Sequence, residues 1–245
     1  MTTTDVPSRR RSSFFPDFYR SAVGKKWVMA ITGIILLAYV IAHTVGNLKI
    51  YLEIEASGVY EIDEYGHFLR DFLYPILPRH LFLWIMRVGL LIATIFHVHA
   101  AVALTYMNRR ARPIGYEGPR RYLVANYASR TMRWSGFIVL AFVLFHLADF
   151  TWGIQPFSPE GWEAGAVHAN FLLTFSRFPV VALYVTANLA LGLHLYHGAW
   201  SMFQSLGINR PRFNPWRRYF AIATAYAITL ANISMPISVY VGWIT

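Results

Sequence analysis

Five predominantly apolar stretches, near 27–50, 81–107, 134–152, 179–206 and 219–243, constrain this chain more than any other feature. Each approaches or exceeds the roughly 20 residues that carry a helix across a bilayer. Hydrocarbon offers no partner for a free backbone amide or carbonyl, so such segments cross as helices. Little remains besides short connections, and the 245 residues read as one membrane domain, 1–245, with a basic segment over 1–26. The expected fold is therefore all-α: an integral membrane bundle of five transmembrane helices. Composition agrees, because 56% of residues are hydrophobic and only 14% charged, against roughly 45–50% and 25% in a soluble domain. The first stretch runs long, into Gly46, Asn47, Leu48 and Lys49, with no small-residue cleavage pattern, and reads as a retained helix. With no cysteine, this chain alone supplies no disulfide, iron–sulfur ligation or thiolate metal site.

Charge sets an expected orientation. Arg9, Arg10, Arg11, Arg20, Lys25 and Lys26 precede the first span; Arg109, Arg110, Arg112, Arg120, Arg121, Arg130 and Arg133 follow the second; Arg210, Arg212, Arg217 and Arg218 follow the fourth. Alternate connections share one side, and positive residues favour the cytoplasm. The acidic residues Glu53, Glu55, Glu61, Asp63, Glu64, Asp71, Asp149, Glu160 and Glu163 gather toward the other side. This places the N-terminus in the cytoplasm and the C-terminus outside, in a multi-pass protein of the cell inner (cytoplasmic) membrane. The net charge of +10 is accounted for by topology and attraction to anionic lipid, so nucleic acid is not an expected partner. No internal repeat or low-complexity segment stands out.

Of the nine histidines, His43, His97, His99, His146, His194 and His197 fall inside the first four spans. An ionisable group in a span is costly and needs a partner or a function. Interhelical hydrogen bonding would serve for one such residue, but four successive helices each supply at least one. Neutral imidazole is an axial ligand for haem iron, and two complete a low-spin electron-transfer centre. At 1.5 Å per residue, His43 and His146 sit roughly 10 Å from the outer ends of their helices, and His97 and His194 roughly 26 Å from them. Depth thus pairs His43 with His146 and His97 with His194, two levels roughly 16 Å apart. A zinc or di-iron site would draw its ligands to one depth, usually with carboxylates, and the only acidic residue in the spans is Asp149. Helices II and IV each offer two histidines. Small residues one turn from a ligand admit a porphyrin: His97 has Ala93, Ala100 and Ala101, and His194 has Ala190 and Gly198. These favour His97 and His194 over His99 and His197, which are assigned propionate or quinone hydrogen bonding or interhelical packing. His67, His80 and His168 belong to outer connections, with a surface role expected.

With those residues in place, the chain resembles the five-helix dihaem cytochrome b that forms the membrane anchor of the succinate dehydrogenases and fumarate reductases. The resemblance covers nearly the whole chain. It is carried by SAVGKKWVMAITG and AHTVGNLKIY in helix I, FHVHAAVALTYMNRRARP across helix II, ASRTMRWSG and FHLADFTWG in helix III, and LGLHLYHGAW in helix IV. It implies two haem b ligated by His43, His97, His146 and His194, with His97 or His99 and His194 or His197 still open as alternatives. It also implies a cytoplasmic iron–sulfur subunit, a flavoprotein subunit acting on succinate or fumarate, and a membrane quinone, menaquinone, as substrate; no dicarboxylate site is expected in this chain.

A quinone headgroup needs hydrogen-bond donors near a haem edge and a proton route to water. Outer candidates are Asn47, Lys49, Arg87 and Asp149; Arg87, eight residues into helix II, calls for a partner, either a haem propionate or Asp149. Inner candidates are Ser21, Lys25, Arg130 and Trp134. The rival functions are a dihaem cytochrome b of a hydrogenase or formate dehydrogenase, and a haem-free proton-coupled transporter using a histidine relay.

Overall fold

The computed structural model describes residues 14–52, 58–111, 127–208 and 210–245, with backbone alone at 127–130. Arg9, Arg10, Arg11, Arg112, Arg120, Arg121, Glu53 and Glu55 of the charge argument lie outside the described residues, as does the side chain of Arg130. A short helix, α1 (Phe14–Arg20), turns at Ser21 into α2 (Ala22–Asn47). Ser21 is the N-cap: its hydroxyl accepts from the Gly24 amide at 2.9 Å and donates to the Phe18 carbonyl at 2.7 Å, satisfying one of the amides that a helix start leaves unpaired. The other spanning helices are α4 (Leu81–Arg110), α5 (Tyr127–His146), α7 (Phe178–Ser205) and α8 (Asn214–Tyr240). All five are long and apolar enough to cross a membrane, and no strand occurs among the described residues.

Each helix covers one of the five apolar stretches, with α4 and α7 starting within a residue of the expected position and α2, α5 and α8 starting earlier, at Ala22, Tyr127 and Asn214 where hydropathy starts the spans at 27, 134 and 219. Pro215 in the first turn supplies a preset φ, and Arg217 is drawn inside the fold at 1% exposure. Its guanidinium lies 4.8 Å over the Trp200 ring and donates to the Ile208 carbonyl at 2.7 Å and to Asn214. Arg217, assigned to a basic connection by its charge, instead fastens the α7–α8 turn.

Packing arranges four of the helices around a bundle in the order α4, α2, α7, α5, with α8 laid against α7 and α2. Helices α2 and α5 then face one another across one diagonal, and α4 and α7 across the other. Neither diagonal pair packs extensively among the described residues. One end of the bundle carries Arg109, Arg110, Arg210 and Arg212 and is called the basic end. The opposite, capped end is covered by two short helices, α3 (Glu61–Asp71) and α6 (Val167–Phe175), which touch each other. A cluster of Ile50, Ile62, Phe171, Phe175, Tyr184 and Met235 joins this cap to α7 and α8.

A polar seam holds α2, α7 and α8 in register. Thr44 Oγ1 donates to Asn232 Oδ1 at 3.0 Å, Asn232 Nδ2 to Asn188 Oδ1 at 3.0 Å, and Asn188 Nδ2 to the Tyr184 carbonyl at 2.9 Å. Such bonds average about 0.6 kcal/mol between membrane helices and reach about 1.7. Asn232→Ala, which breaks two of them and strands Thr44, is expected to destabilise the bundle by about 1–2 kcal/mol. Leu230→Ala on the exposed face of α8 should be near neutral. Thermal unfolding in detergent compares the two, and equal stabilities would contradict the seam's role.

Candidate functional site

Two histidine pairs span the two diagonals. His43 of α2 and His146 of α5 stand with ring centroids 5.9 Å apart, and His97 of α4 and His194 of α7 stand 6.3 Å apart. The first pair lies toward the capped end, the second toward the basic end, as the depth argument requires. All four residues are half-buried.

The spacing is a test of what the pairs hold. Metal–imidazole bonds of about 2 Å on opposite sides of one ion place the two ring centroids roughly 6 Å apart. Both pairs meet that distance. Among the described residues no group of three or more His, Cys, Asp or Glu gathers around one point. A bis-histidine haem needs only two protein ligands, since the porphyrin supplies the rest, so the residues present fit haem and not a protein-only metal cage.

Second contacts fix three of the rings. Thr32 Oγ1 lies 3.1 Å from His97 Nδ1, Ser135 Oγ 3.4 Å from His194 Nδ1, and Tyr184 Oη 3.1 Å from His146 Nδ1. Nδ1 engaged in this way would leave Nε2 as the nitrogen available to a metal. His43 differs, because Asn47 Nδ2 stands 3.2 Å from its Nε2 and Tyr39 stacks on the ring at 5.3 Å. Iron on that nitrogen would displace the Asn47 amide. The two basic-end histidines also pack on bare backbone: a Cβ at Gly33 would stand 3.4 Å from His97 Cε1, and one at Gly136 3.2 Å from His194 Cε1.

The structure exposes a short repeat that does not stand out in the sequence. Met29, Thr32, Gly33 and His43 in α2 recur with identical spacing as Met132, Ser135, Gly136 and His146 in α5. In each copy the hydroxyl and the glycine receive a histidine of the neighbouring helix, and the histidine ten residues later reaches across the diagonal. The pattern M-x2-S/T-G-x9-H was the available signal for Thr32, Ser135 and the two glycines.

The remaining candidates separate. His99 Nδ1 lies 2.7 Å from Tyr19 Oη of α1 and the rings stack, so His99 belongs to the surface of the basic end. His197 lies half-buried on α7, three residues from His194. Ala93, Ala100 and Ala190, chosen as space for a porphyrin, are buried; Ala93 and Ala100 admit close packing of α4 on α2, its main neighbour. Asp149 is fully buried and bonded by Arg177 at 3.0 Å, Tyr184 at 2.9 Å and Thr174 at 3.4 Å, so its cationic partner is Arg177 and not Arg87. Arg87 instead lies 5.2 Å from the centre of the Trp84 ring. Lys49 pairs with Glu61 at 2.8 Å. At the basic end, the Ser21 hydroxyl is committed to its cap, Lys25 lies 4.1 Å over Tyr19 and Trp134 is 72% exposed.

The cap corrects one further expectation. His168, assigned to the surface, is buried and stacked on Tyr60 at 3.4 Å with its amide bonded to Asp63; His67 and His80 are exposed. His168 also lines an open cleft of ≈ 510 Å³ with Tyr51, Tyr60 and Trp243. No family model, curated protein or solved structure matches the chain.

Burial of His168 disfavours its charged form and lowers its pKa below 6.5, with the nearby Asp63 charge opposing the shift. A histidine depressed in the folded state contributes stability above its unfolded pKa and loses it as pH falls through the folded one. Amide exchange in α6, corrected for intrinsic rates, is therefore expected to accelerate as pH drops below 6.5, and His168→Phe should remove that dependence. A flat profile in the unsubstituted chain would contradict the account of the cap.

Proposed function

We propose that this chain is the dihaem cytochrome b membrane anchor of a succinate:quinone oxidoreductase, passing electrons between a cytoplasmic iron–sulfur subunit and a membrane quinone. The observation that carries the proposal is the pair of imidazole couples across the bundle diagonals, each at the spacing two ligands take on one iron. The resemblance of all four ligand-bearing helices to that family supplies the rest.

Haem b, when bound, supplies the one-electron chemistry; the protein orients, insulates and tunes. His97 and His194 would hold the group nearer the basic end, with Thr32 and Ser135 fixing their rings. His43 and His146 would hold the one nearer the capped end. The basic end is read as cytoplasmic, where Arg109, Arg110, Arg210 and Arg212 favour an acidic face of the iron–sulfur subunit, which in turn carries the flavoprotein. Menaquinone is read at the capped end, where Asn47, beside His43, offers an amide donor. The aromatic cleft beside His168 lies on the same side. Electron passage between the two levels crosses the low-dielectric core and so couples to the membrane potential, at about 2.3 kcal/mol per charge per 100 mV.

Two experiments test this reading. Purification in mild detergent should bring down a flavoprotein and an iron–sulfur protein with succinate:quinone reductase activity; a hydrogenase or formate dehydrogenase partner would reassign the enzyme while leaving the cytochrome. His97→Ala and His194→Ala should each remove the same haem, read by redox difference spectra, while His99→Ala and His197→Ala keep it. Loss on replacing His99 with retention on replacing His97 would reverse the ligand assignment in α4.

A further inference from the structure

Asp149 presents a problem that the proposed function does not absorb. It is the only carboxylate in the spanning segments, it is 0% exposed, and a buried charge is tolerated only where it is paired and hydrogen-bonded. The structure pairs it fully. Arg177, the N-cap residue of α7, donates Nη2 to Asp149 Oδ1 at 3.0 Å and its other nitrogens to the carbonyls of Phe157 (2.9 Å) and Thr174 (3.3 Å). Thr174 adds a hydroxyl at 3.4 Å. Tyr184 Oη donates to the other carboxylate oxygen at 2.9 Å.

The same Tyr184 oxygen lies 3.1 Å from His146 Nδ1. Since the tyrosine proton is given to Asp149, its lone pair receives the Nδ1 proton of His146. The groups thus form one directed chain, His146 N–H to Tyr184 O–H to the Asp149 carboxylate, anchored by Arg177 at the edge of the fold. Helix α5 ends in a single π turn, Leu147–Thr151, directly after His146, so His146 and Asp149 both meet Tyr184. Such turns recur at functional sites. The ring is further boxed by Phe142 at 5.8 Å and Phe150 at 5.5 Å. Among the described residues, none of the other three pocket histidines has an anion behind its hydrogen-bond partner: Thr32 and Ser135 pass their protons to backbone carbonyls, and Asn47 is an amide.

We propose that Tyr184 and Asp149 are positioning residues for the capped-end haem, holding His146 in one tautomer and making it the most electron-donating of the four ligands. This rests on the dihaem reading. A neutral imidazole that donates its second proton toward a carboxylate is a more basic ligand, in a chain where each bond polarises the next. A more basic ligand stabilises ferric iron and lowers that centre's potential relative to the basic-end one. The device acts on one ring of one pair, so the two centres are set apart by the protein and not by the cofactor.

The test is a potentiometric titration of the whole chain followed in the visible α band and by low-temperature EPR. Tyr184→Phe removes the bridging hydroxyl and leaves every charge in place. It is expected to raise the capped-end haem's ratio of reduced to oxidised forms about tenfold at a fixed ambient potential, a shift of about 59 mV for one electron, with the basic-end haem unmoved. Asp149→Asn should shift the same haem in the same direction. The double variant should shift it no further than the larger single, because the chain is broken once. Fully additive shifts, or an unmoved potential in Tyr184→Phe with both haems bound, would overturn the proposal. If Tyr184→Phe does not retain the haem, Asp149→Asn carries the decision. An unsubstituted chain without haem would instead overturn the dihaem reading itself.

Discussion

An imidazole ring in the middle of an apolar bundle has two nitrogens to satisfy, and the hydrocarbon around the bundle satisfies neither. Much of this structure follows from how that demand is met. On three of the four pocket histidines one nitrogen is taken by a hydroxyl from a neighbouring helix, Thr32, Ser135 or Tyr184. The two rings of each pair stand 5.9 and 6.3 Å apart across a diagonal. A spacing near 6 Å is the one that two imidazoles take on a shared metal ion.

The arrangement also accounts for where the helices touch. Contact is concentrated on the edges α4–α2, α2–α7 and α7–α5 and on the buttress of α8 against α7. Ala93 and Ala100 bring α4 close to α2, and Gly33 and Gly136 let the basic-end rings lie against backbone. The fifth helix carries no histidine. Its contribution is the seam through Asn232 and the anchor at Arg217, which steady α7, the helix that bears both His194 and Tyr184.

Much of this was legible in the sequence for a physical reason. A lipid-spanning helix must be long, apolar and continuous, and an ionisable residue within it is conspicuous, so five spans and the four histidine positions could be read from hydropathy and the 1.5 Å rise. Contacts between elements were harder. The Asp149–Arg177 pair escaped because Arg177 stands 28 residues away at a helix start, and charge spacing along the chain carries no information about that turn. His168 reads as a loop residue until α6 folds over Tyr60. Arg217 reads as a loop charge until Trp200 and the Ile208 carbonyl cover it. The shared Met, Thr/Ser, Gly and His spacing of α2 and α5 was present throughout, but two serine/threonine hydroxyls among apolar residues stand out only once the rings they face are known.

The central claim is that His43 with His146 and His97 with His194 each complete the coordination of one iron. The most direct measurement is a haem count by pyridine haemochrome on the purified chain, combined with low-temperature EPR of the oxidised protein. The account predicts two haem b per chain and two low-spin signals of bis-imidazole type. One haem or none, or a high-spin signal left by a ring without its partner, would contradict it.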